Sequence, residues 1–323
     1  GNLDKNVVLR WLKKQLSTDC PKIMHNAPYD LGWLKALDIP VNGPIIDTMI
    51  MAALLDENRY SYSLNALSYD YLGEAKSEKL LTQAAVDFGV DPKAELWKLP
   101  SQFVGPYAEM DARLAFDLYK FFKLEIAKQD LNTVWDLETR LTPCLIDMTF
   151  RGIRVDMDRC ERTKQALIKR EKAVLKKIEA QAGGEVEIWA ASSLAKAFDK
   201  LNIKYPRTAT GQPSFTKSFL SDNPHEFAKM VVEARNLNKV QGTFVSSIMR
   251  YVSKEGRIHG HINQLRSDDG GTVSGRLSMS NPNLQQIPAR DPELGPMIRS
   301  LFLPEEGEQW AAIDFSQQEP RIL

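Results

Sequence analysis

Residues 273–321 contain the most specific pattern in the chain, VSGRLSMSNPNLQQIPARDPELGPMIRSLFLPEEGEQWAAIDFSQQEPR. Short strand and turn patterns lead into the apolar run QWAAI, which predicts a buried strand that ends at Asp314. A carboxylate at the end of a buried strand is typical of a metal site, and such a site usually requires a second carboxylate. Apart from Glu319, the nine residues that follow Asp314 offer none.

The composition predicts a globular protein of two or three domains, since 43% of the 323 residues are hydrophobic and 26% are charged. No apolar run reaches the roughly 18 residues that a membrane-spanning helix needs. Residues 1–20 have the pattern of an amphipathic helix and not that of a signal peptide. Three widely spaced cysteines fit reduced thiols better than disulfides or a zinc site, so we expect a cytoplasmic protein without a membrane partner.

The charge balance excludes nothing by itself, because 42 basic residues offset 42 acidic ones. The local distribution is uneven: residues 159–177 carry eight Lys or Arg against two Glu on a helical pattern that Gly183 and Gly184 end. A solvated helix face and a face that binds nucleic acid are both compatible with this pattern.

The chain divides into three regions by pattern. Residues 1 to about 130 alternate short strands with helices, which predicts an α/β domain. The middle region is helical, with a turn and a short strand at FRGIRVD. We expect a loop at YPRTATGQPSFTKSFL and a long helix that begins with Asn223 as N-cap and has a weak point at Gly242. Strands and turns follow Gly256.

Two pairs of polar residues in the α/β region are compatible with phosphodiester chemistry. Asn26 and Asp30 lie where the apolar strand KIM hands over to a helix, and Tyr107 and Asp111 are four residues apart on one helical face. Two-metal hydrolysis needs clustered carboxylates and a group, such as a tyrosine, that orients the attacking water. From spacing alone, a helix cap and a surface pair remain alternatives.

The stretch quoted above resembles the region of family A (Pol I-like) DNA polymerases that leads into the metal-binding motif of the palm. SGRLSMSNPNLQQIP and DFSQQEPR are similar to two signatures of that family, with Phe315, Gln318 and Pro320 where the second has Tyr, Ile and Leu. The resemblance extends backwards: the basic helices resemble the family's thumb, and the two polar pairs resemble motifs of its 3′–5′ proofreading domain.

The resemblance implies a fold of α/β plus α class: a partial RNase H-like exonuclease domain at 1–130, a helical thumb at 131–256 and the start of an antiparallel palm sheet at 257–323. It also implies template-directed nucleotide addition with two Mg²⁺ ions, or Mn²⁺. Asp314 resembles the palm aspartate that holds these ions, and Asp30 and Asp111 resemble exonuclease metal ligands, with Tyr107 as their catalytic partner.

The remaining roles follow from the same resemblance. Glu319 resembles the steric gate that excludes a ribose 2′-OH, and Arg276 resembles the arginine that enters the minor groove at the primer end. Three amide residues in the neighbouring loop are implied to bind DNA: Asn283, Gln285 and Gln286. Of these, Gln286 replaces an Asn of the family signature.

Both implied active sites are incomplete in this sequence. The fingers and a second palm aspartate would follow Leu323, and the first exonuclease motif, Asp-x-Glu, would precede Asn26. We therefore expect part of a longer protein or one half of a split polymerase, from a bacterial or phage-infected cell. Its partners would be primer–template DNA, deoxynucleoside triphosphates and the missing fingers and palm. The alternatives are a non-catalytic primer–template binding module and an exonuclease subunit.

Overall fold

The structure, a computed structural model, describes residues 3–74, 76, 78–92, 94–266, 271–288 and 291–323. The α-helices are α1 Lys5–Leu16, α2 Ala27–Ala36, α3 Thr48–Leu55, α4 Leu64–Leu72, α5 Lys79–Phe88, α6 Ser101–Lys128, α7 Asn132–Arg151, α8 Met157–Ala182, α9 Ala191–Lys200, α10 Lys217–Asp222, α11 Glu226–Lys239, α12 Ser246–Tyr251, α13 Leu294–Arg299 and α14 Gln318–Ile322. The strands are β1 Lys22–Met24, β2 Ile45–Asp47, β3 Ile153–Val155, β4 Arg257–Ile258, β5 His261–Asn263, β6 Ser278–Ser280 and β7 Phe302–Leu303. Short 3₁₀ turns span Leu96–Lys98 and Leu284–Gln286, and a π-helical segment spans Val240–Val245.

The chain forms two compact units, Gly1–Arg151 with His261–Ser280 and Gly152–Gly260 with Asn281–Leu323. We refer to them as the first and second units. The mixed α/β class that the sequence predicts is confirmed. The three-domain division at 1–130, 131–256 and 257–323 stays a prediction. No helix within the described ranges is long and apolar enough to span a membrane.

The first unit is built around the parallel pair β1 and β2, in which Met24 lies opposite Asp47. Its main core places the buried side chains of Met51, Leu67 and Phe122 from α3, α4 and α6 together. Helix α6 packs against α3, α4 and β1. Because α2 begins directly after β1, this core fixes the start of α2 beside the edge of the two strands.

The second unit has a helical core beside a small antiparallel sheet of order β4–β3–β7. Helix α8 begins where Asp156 accepts the backbone N–H of Arg159 at 2.8 Å, and it ends at Gly183 in the left-handed conformation. Gly152 is required before β3, because at its φ of 61° an added Cβ would lie 2.7 Å from the carbonyl oxygen of Ile258. The predicted basic helix and the FRGIRVD strand are thus confirmed.

Two local predictions in the second unit are wrong. The long helix begins at Glu226, since the ring of His225 and not Asn223 accepts the N–H of Phe227, at 3.1 Å. Asn223 instead accepts the N–H of His225, at 2.9 Å. The expected loop contains helix α10, because Leu220 is buried in the core and anchors this segment. Gly242 does lie at an irregularity, the π-helical segment.

The predicted strand QWAAI is also wrong. Residues 309–313 form no strand, and residues 306–323 are exposed throughout. Trp310 and Ile313 have 62% and 92% of their surfaces exposed. A strand needs a hydrogen-bonded neighbour and an apolar surface to cover it, and the described residues provide neither for this segment.

Candidate functional site

The edge of β1 and β2 is organised by the buried carboxylate of Asp47. It accepts backbone N–H groups from Asn26 at 3.0 Å, Ala27 at 2.7 Å and Met49 at 2.9 Å. Burial raises the pKa of Asp47 to about 6, although these three hydrogen bonds oppose the shift and the charge of Asp30 adds to it. Asp47 therefore fixes the start of α2, and with it the position of Asp30.

Asp30 lies in the first turn of α2 and is exposed. Desolvation by the surrounding protein raises its pKa. Asn26, the N-cap residue, adopts a left-handed conformation with φ 62° and makes no side-chain capping bond. The expected arrangement, in which a short strand hands over to a helix between Asn26 and Asp30, is confirmed.

His25 connects the end of β1 to the rest of the first unit. Its ring pairs with the hydroxyl of Thr48 at 2.8 Å and with the carbonyl oxygen of Tyr62 at 3.0 Å. Burial lowers the pKa of His25 to about 4. The ring is therefore neutral at physiological pH and acts as a structural bridge.

Tyr107 and Asp111 lie on α6 and are brought together by Lys76. The ammonium of Lys76 lies 2.6 Å from Asp111 Oδ1, donates to the Tyr107 hydroxyl at 3.1 Å and lies 4.4 Å from the centre of the Tyr107 ring. Burial works against the charge, yet the hydrogen bonds to Asp111 and Tyr107 hold the pKa of Lys76 above its ordinary value. These three side chains form one polar cluster.

Asp30 is not joined to this cluster by any hydrogen bond or ion pair among the described residues. Nor do those residues contain a group of three or more His, Cys, Asp or Glu side chains that could hold a metal ion. Two helices, α2 and α6, thus contribute one candidate carboxylate each, and α6 packs directly against β1, which precedes Asp30. The two candidate carboxylates thus lie on separate helices of the first unit, and the described residues do not complete a metal ligand set around them.

Arg276 lies in the first unit, just before β6, and its side chain is exposed. Its carbonyl oxygen accepts the hydroxyl of Thr272 at 2.7 Å. Strands β5 and β6 form an antiparallel ribbon in which the amide of Asn263 donates to the hydroxyls of Ser278 and Ser280. Arg276 therefore lies two residues before a strand that is hydrogen-bonded to its neighbour.

The three amide residues lie in the second unit around the 3₁₀ turn Leu284–Gln286. Asn283 caps this turn by accepting the N–H of Gln285 at 3.1 Å, and the side chains of Asn283, Gln285 and Gln286 are all exposed. An exposed group of amides can donate to phosphates or base edges.

Asp314 and Glu319 lie in the exposed segment 306–323. Asp314 has no regular secondary structure, whereas Glu319 lies in the first turn of α14. The expectation that Asp314 ends a buried strand is wrong for the reason given above: no neighbouring strand pairs with residues 309–313 within the described part of the chain.

Sequence reasoning missed Asp47 and Lys76. Asp47 could have been found, because it follows the apolar run PII and precedes a helix, the same pattern that drew attention to Asp314. Lys76 lies in the polar stretch GEAKSEK, and nothing in its neighbourhood indicates a partner 35 positions away.

Comparison with known proteins gives two family matches in sequence order. A 3′–5′ exonuclease family matches residues 2–127, and DNA polymerase family A matches residues 157–323. A DNA-directed DNA polymerase of Pseudomonas phage M6 is 38% identical over all of this chain and half of its own length. DNA polymerase DpoZ of Acinetobacter phage SH-Ab 15497 is 33% identical over 99% of this chain and 55% of its own length. DNA polymerase I of Pseudomonas aeruginosa is 29% identical over 99% of this chain and 35% of its own length.

A solved structure with the same fold is the polymerase domain of Pol1 from M. smegmatis in complex with DNA primer-template and dNTP. It superposes with a TM-score of 0.70 at 24% identity, over 92% of this chain and 48% of that one. The chain spans about half the length of the phage relatives that it matches. Because the family A polymerase match covers residues 157–323 and follows the exonuclease match, the chain belongs to DNA polymerase family A.

Proposed function

We propose that this chain is part of a template-directed DNA polymerase that proofreads with a 3′–5′ exonuclease domain. The observation that carries this proposal is the order of the two family matches, exonuclease at 2–127 and polymerase at 157–323, within a single alignment to a phage polymerase. The substrates would be primer–template DNA and deoxynucleoside triphosphates. Since the relatives are phage and bacterial enzymes, the expected location is the cytoplasm of a bacterial or infected cell.

In the exonuclease part, an RNase H-like domain within residues 1–130, Asp30 and Asp111 would hold Mg²⁺ or Mn²⁺. Hard carboxylate oxygens suit these ions, and Asp111 Oδ1 already faces a cation, since the ammonium of Lys76 lies 2.6 Å from it. A bound divalent ion supplies an activated water and stabilises charge on the phosphate. Tyr107, four residues before Asp111, would orient the attacking water.

In the polymerase part, the helical region within residues 131–256 would act as the thumb that grips the duplex. Four exposed basic residues share one face of α8 by the helical repeat: Arg162, Lys169, Lys172 and Lys176. A row of cations on a helix attracts the phosphate backbone independently of base sequence. Arg276 would read minor-groove acceptors at the primer end, and the exposed amides of Asn283, Gln285 and Gln286 would donate to the DNA.

In the palm, which we place at residues 257–323, Asp314 would hold the metal ions of nucleotide addition and Glu319 would exclude ribonucleotides. Both side chains are exposed and carried on a segment without a strand partner among the described residues. We therefore expect this segment to form a strand only when the rest of the palm and the fingers are present to pair with and cover it.

The test is primer extension with residues 1–323 alone, with the remainder of the polymerase added, and with an Asp314→Asn chain plus that remainder. We expect incorporation only in the second reaction, because two-metal chemistry needs a partner carboxylate and a nucleotide-binding surface. Activity that survives Asp314→Asn would contradict the proposal. Tight DNA binding without extension in any reaction would favour a binding module, and degradation alone would favour an exonuclease subunit.

A further inference from the structure

Lys76 is a largely buried cation that the proposed function does not use. Only 9% of its side-chain surface is exposed, against 29% for its partner Asp111. Its ammonium contacts the carboxylate of Asp111, the hydroxyl of Tyr107 and the face of the Tyr107 ring. Two residues proposed to act in phosphodiester hydrolysis are therefore held by the same lysine.

The contact with Asp111 is a short ion pair at a buried oxygen. The ammonium of Lys76 lies 2.6 Å from Asp111 Oδ1. Another cation that binds the same oxygen would have to displace the ammonium. A divalent ion carries twice the charge and prefers carboxylate oxygens, so it would be an effective competitor.

The contact with Tyr107 makes the arrangement more than a simple ion pair. The ammonium donates to the hydroxyl at 3.1 Å while it lies over the ring, so Lys76 restrains both the position and the orientation of the side chain. Release of Lys76 from Asp111 would therefore also change the surroundings of the Tyr107 hydroxyl.

We propose that Lys76 is a positioning residue of the exonuclease site that holds Asp111 and Tyr107 and competes with a divalent ion for Asp111 Oδ1. This inference rests on the proposed exonuclease function, because it assigns Asp111 as a metal ligand. A lysine with a purely structural role would affect only stability when it is replaced. Replacement of a lysine that competes with metal also changes the affinity of the site for metal.

The experiment measures Mn²⁺ binding to the complete polymerase by electron paramagnetic resonance of the free ion, because the implied Asp-x-Glu motif does not precede Asn26 within residues 1–323. Lys76→Met should bind Mn²⁺ about tenfold more tightly than wild type, since it removes one positive charge beside the ligand oxygen. Lys76→Arg keeps the charge and should stay within about threefold of wild type. Lys79→Met is the matched control: it removes an exposed lysine on α5, where solvent and salt screen the charge, and should change nothing.

The double variant Lys76→Met/Asp111→Asn should lose the gain, because the proposed ligand is absent. Equal affinity of wild type and Lys76→Met, including no detectable binding by either, would overturn the inference, as would a gain that persists in the double variant. Thermal melting checks that each variant folds. If Lys76→Met does not fold, Lys76→Gln, which keeps a hydrogen-bond donor without the charge, is measured in its place and judged by the same outcomes.

A separate assay distinguishes failure of this inference from failure of the proposed function. Mg²⁺-dependent 3′–5′ degradation by the complete polymerase is compared between wild type and Asp111→Asn. If degradation does not need Asp111, the proposed exonuclease function fails. If it does need Asp111 but Lys76→Met leaves the Mn²⁺ affinity unchanged, only the role of Lys76 fails.

Discussion

Replacement of Asp47 by Asn should make the stability of the first unit depend on pH in a way that the wild type does not. Burial raises the pKa of Asp47 from 3.8 to about 6, and burial lowers the pKa of His25 from 6.5 to about 4. Folding therefore favours the protonated form of Asp47 and the unprotonated form of His25. Both lie at the edge of β1 and β2, so the same unfolding transition reports on them.

The signs follow from proton binding in the folded and unfolded states. Between pH 3.8 and 6 the folded protein keeps a proton on Asp47 that the unfolded chain releases, so this contribution to stability is lost as pH rises. Between pH 4 and 6.5 the unfolded chain protonates His25 and the folded protein does not, so that contribution is gained as pH rises. Each shift of roughly two units corresponds to about 3 kcal/mol, and in the wild type the two nearly cancel.

Asp47→Asn removes one of the two opposing contributions and keeps an oxygen that can accept backbone N–H groups. The free energy of unfolding should therefore rise by about 3 kcal/mol more in this variant than in wild type between pH 4 and 6.5. The complementary variant His25→Gln should instead lose about 3 kcal/mol relative to wild type over this range.

The assay is urea denaturation at several pH values, followed by tryptophan fluorescence. Trp189→Phe and Trp310→Phe form the common background, so that emission reports only the tryptophans of the first unit, Trp11, Trp33, Trp97 and Trp135. Parallel pH profiles for wild type and Asp47→Asn would refute the reasoning, since they would mean that Asp47 binds protons equally in the folded and unfolded states.

Three further outcomes concern the proposed activities and are measured in the complete polymerase. Asp30→Ala or Asp111→Ala should reduce Mg²⁺-dependent 3′–5′ degradation about a hundredfold or more while primer extension continues, and unchanged degradation would remove these residues from the site. The double variant Lys169→Ala/Lys172→Ala should lower the slope of log affinity for duplex DNA against log salt by about 1.8; an unaltered slope would identify this face of α8 as solvated surface. Glu319→Ala should admit ribonucleotides with little loss of deoxynucleotide incorporation, and a fixed incorporation ratio would exclude a gate at this position.

Local signals in the sequence predicted several elements correctly. The amphipathic pattern of residues 1–20 indicated helix α1, and Gly183 correctly marked the end of α8. These signals act within a few residues, where backbone geometry and capping decide the outcome. The choice between Asn223 and His225 as N-cap was beyond such reasoning, because it depended on which side chain reached the N–H of Phe227.

The sequence by itself determined the family, because SGRLSMSNPNLQQIP and DFSQQEPR are specific patterns that need no folded structure to be recognised. It also indicated the candidate carboxylates Asp30 and Asp111, although their roles stay a prediction. Only the tertiary structure decided that Lys76 pairs with Asp111 and that Asp47 accepts hydrogen bonds from three backbone N–H groups. Likewise, the apolar run before Asp314 has the composition of a strand and lacks a partner among the described residues. The physical reason is the same in each case. Buried charges and strands pair with whichever distant segments the core brings beside them, and local sequence patterns do not indicate those partners.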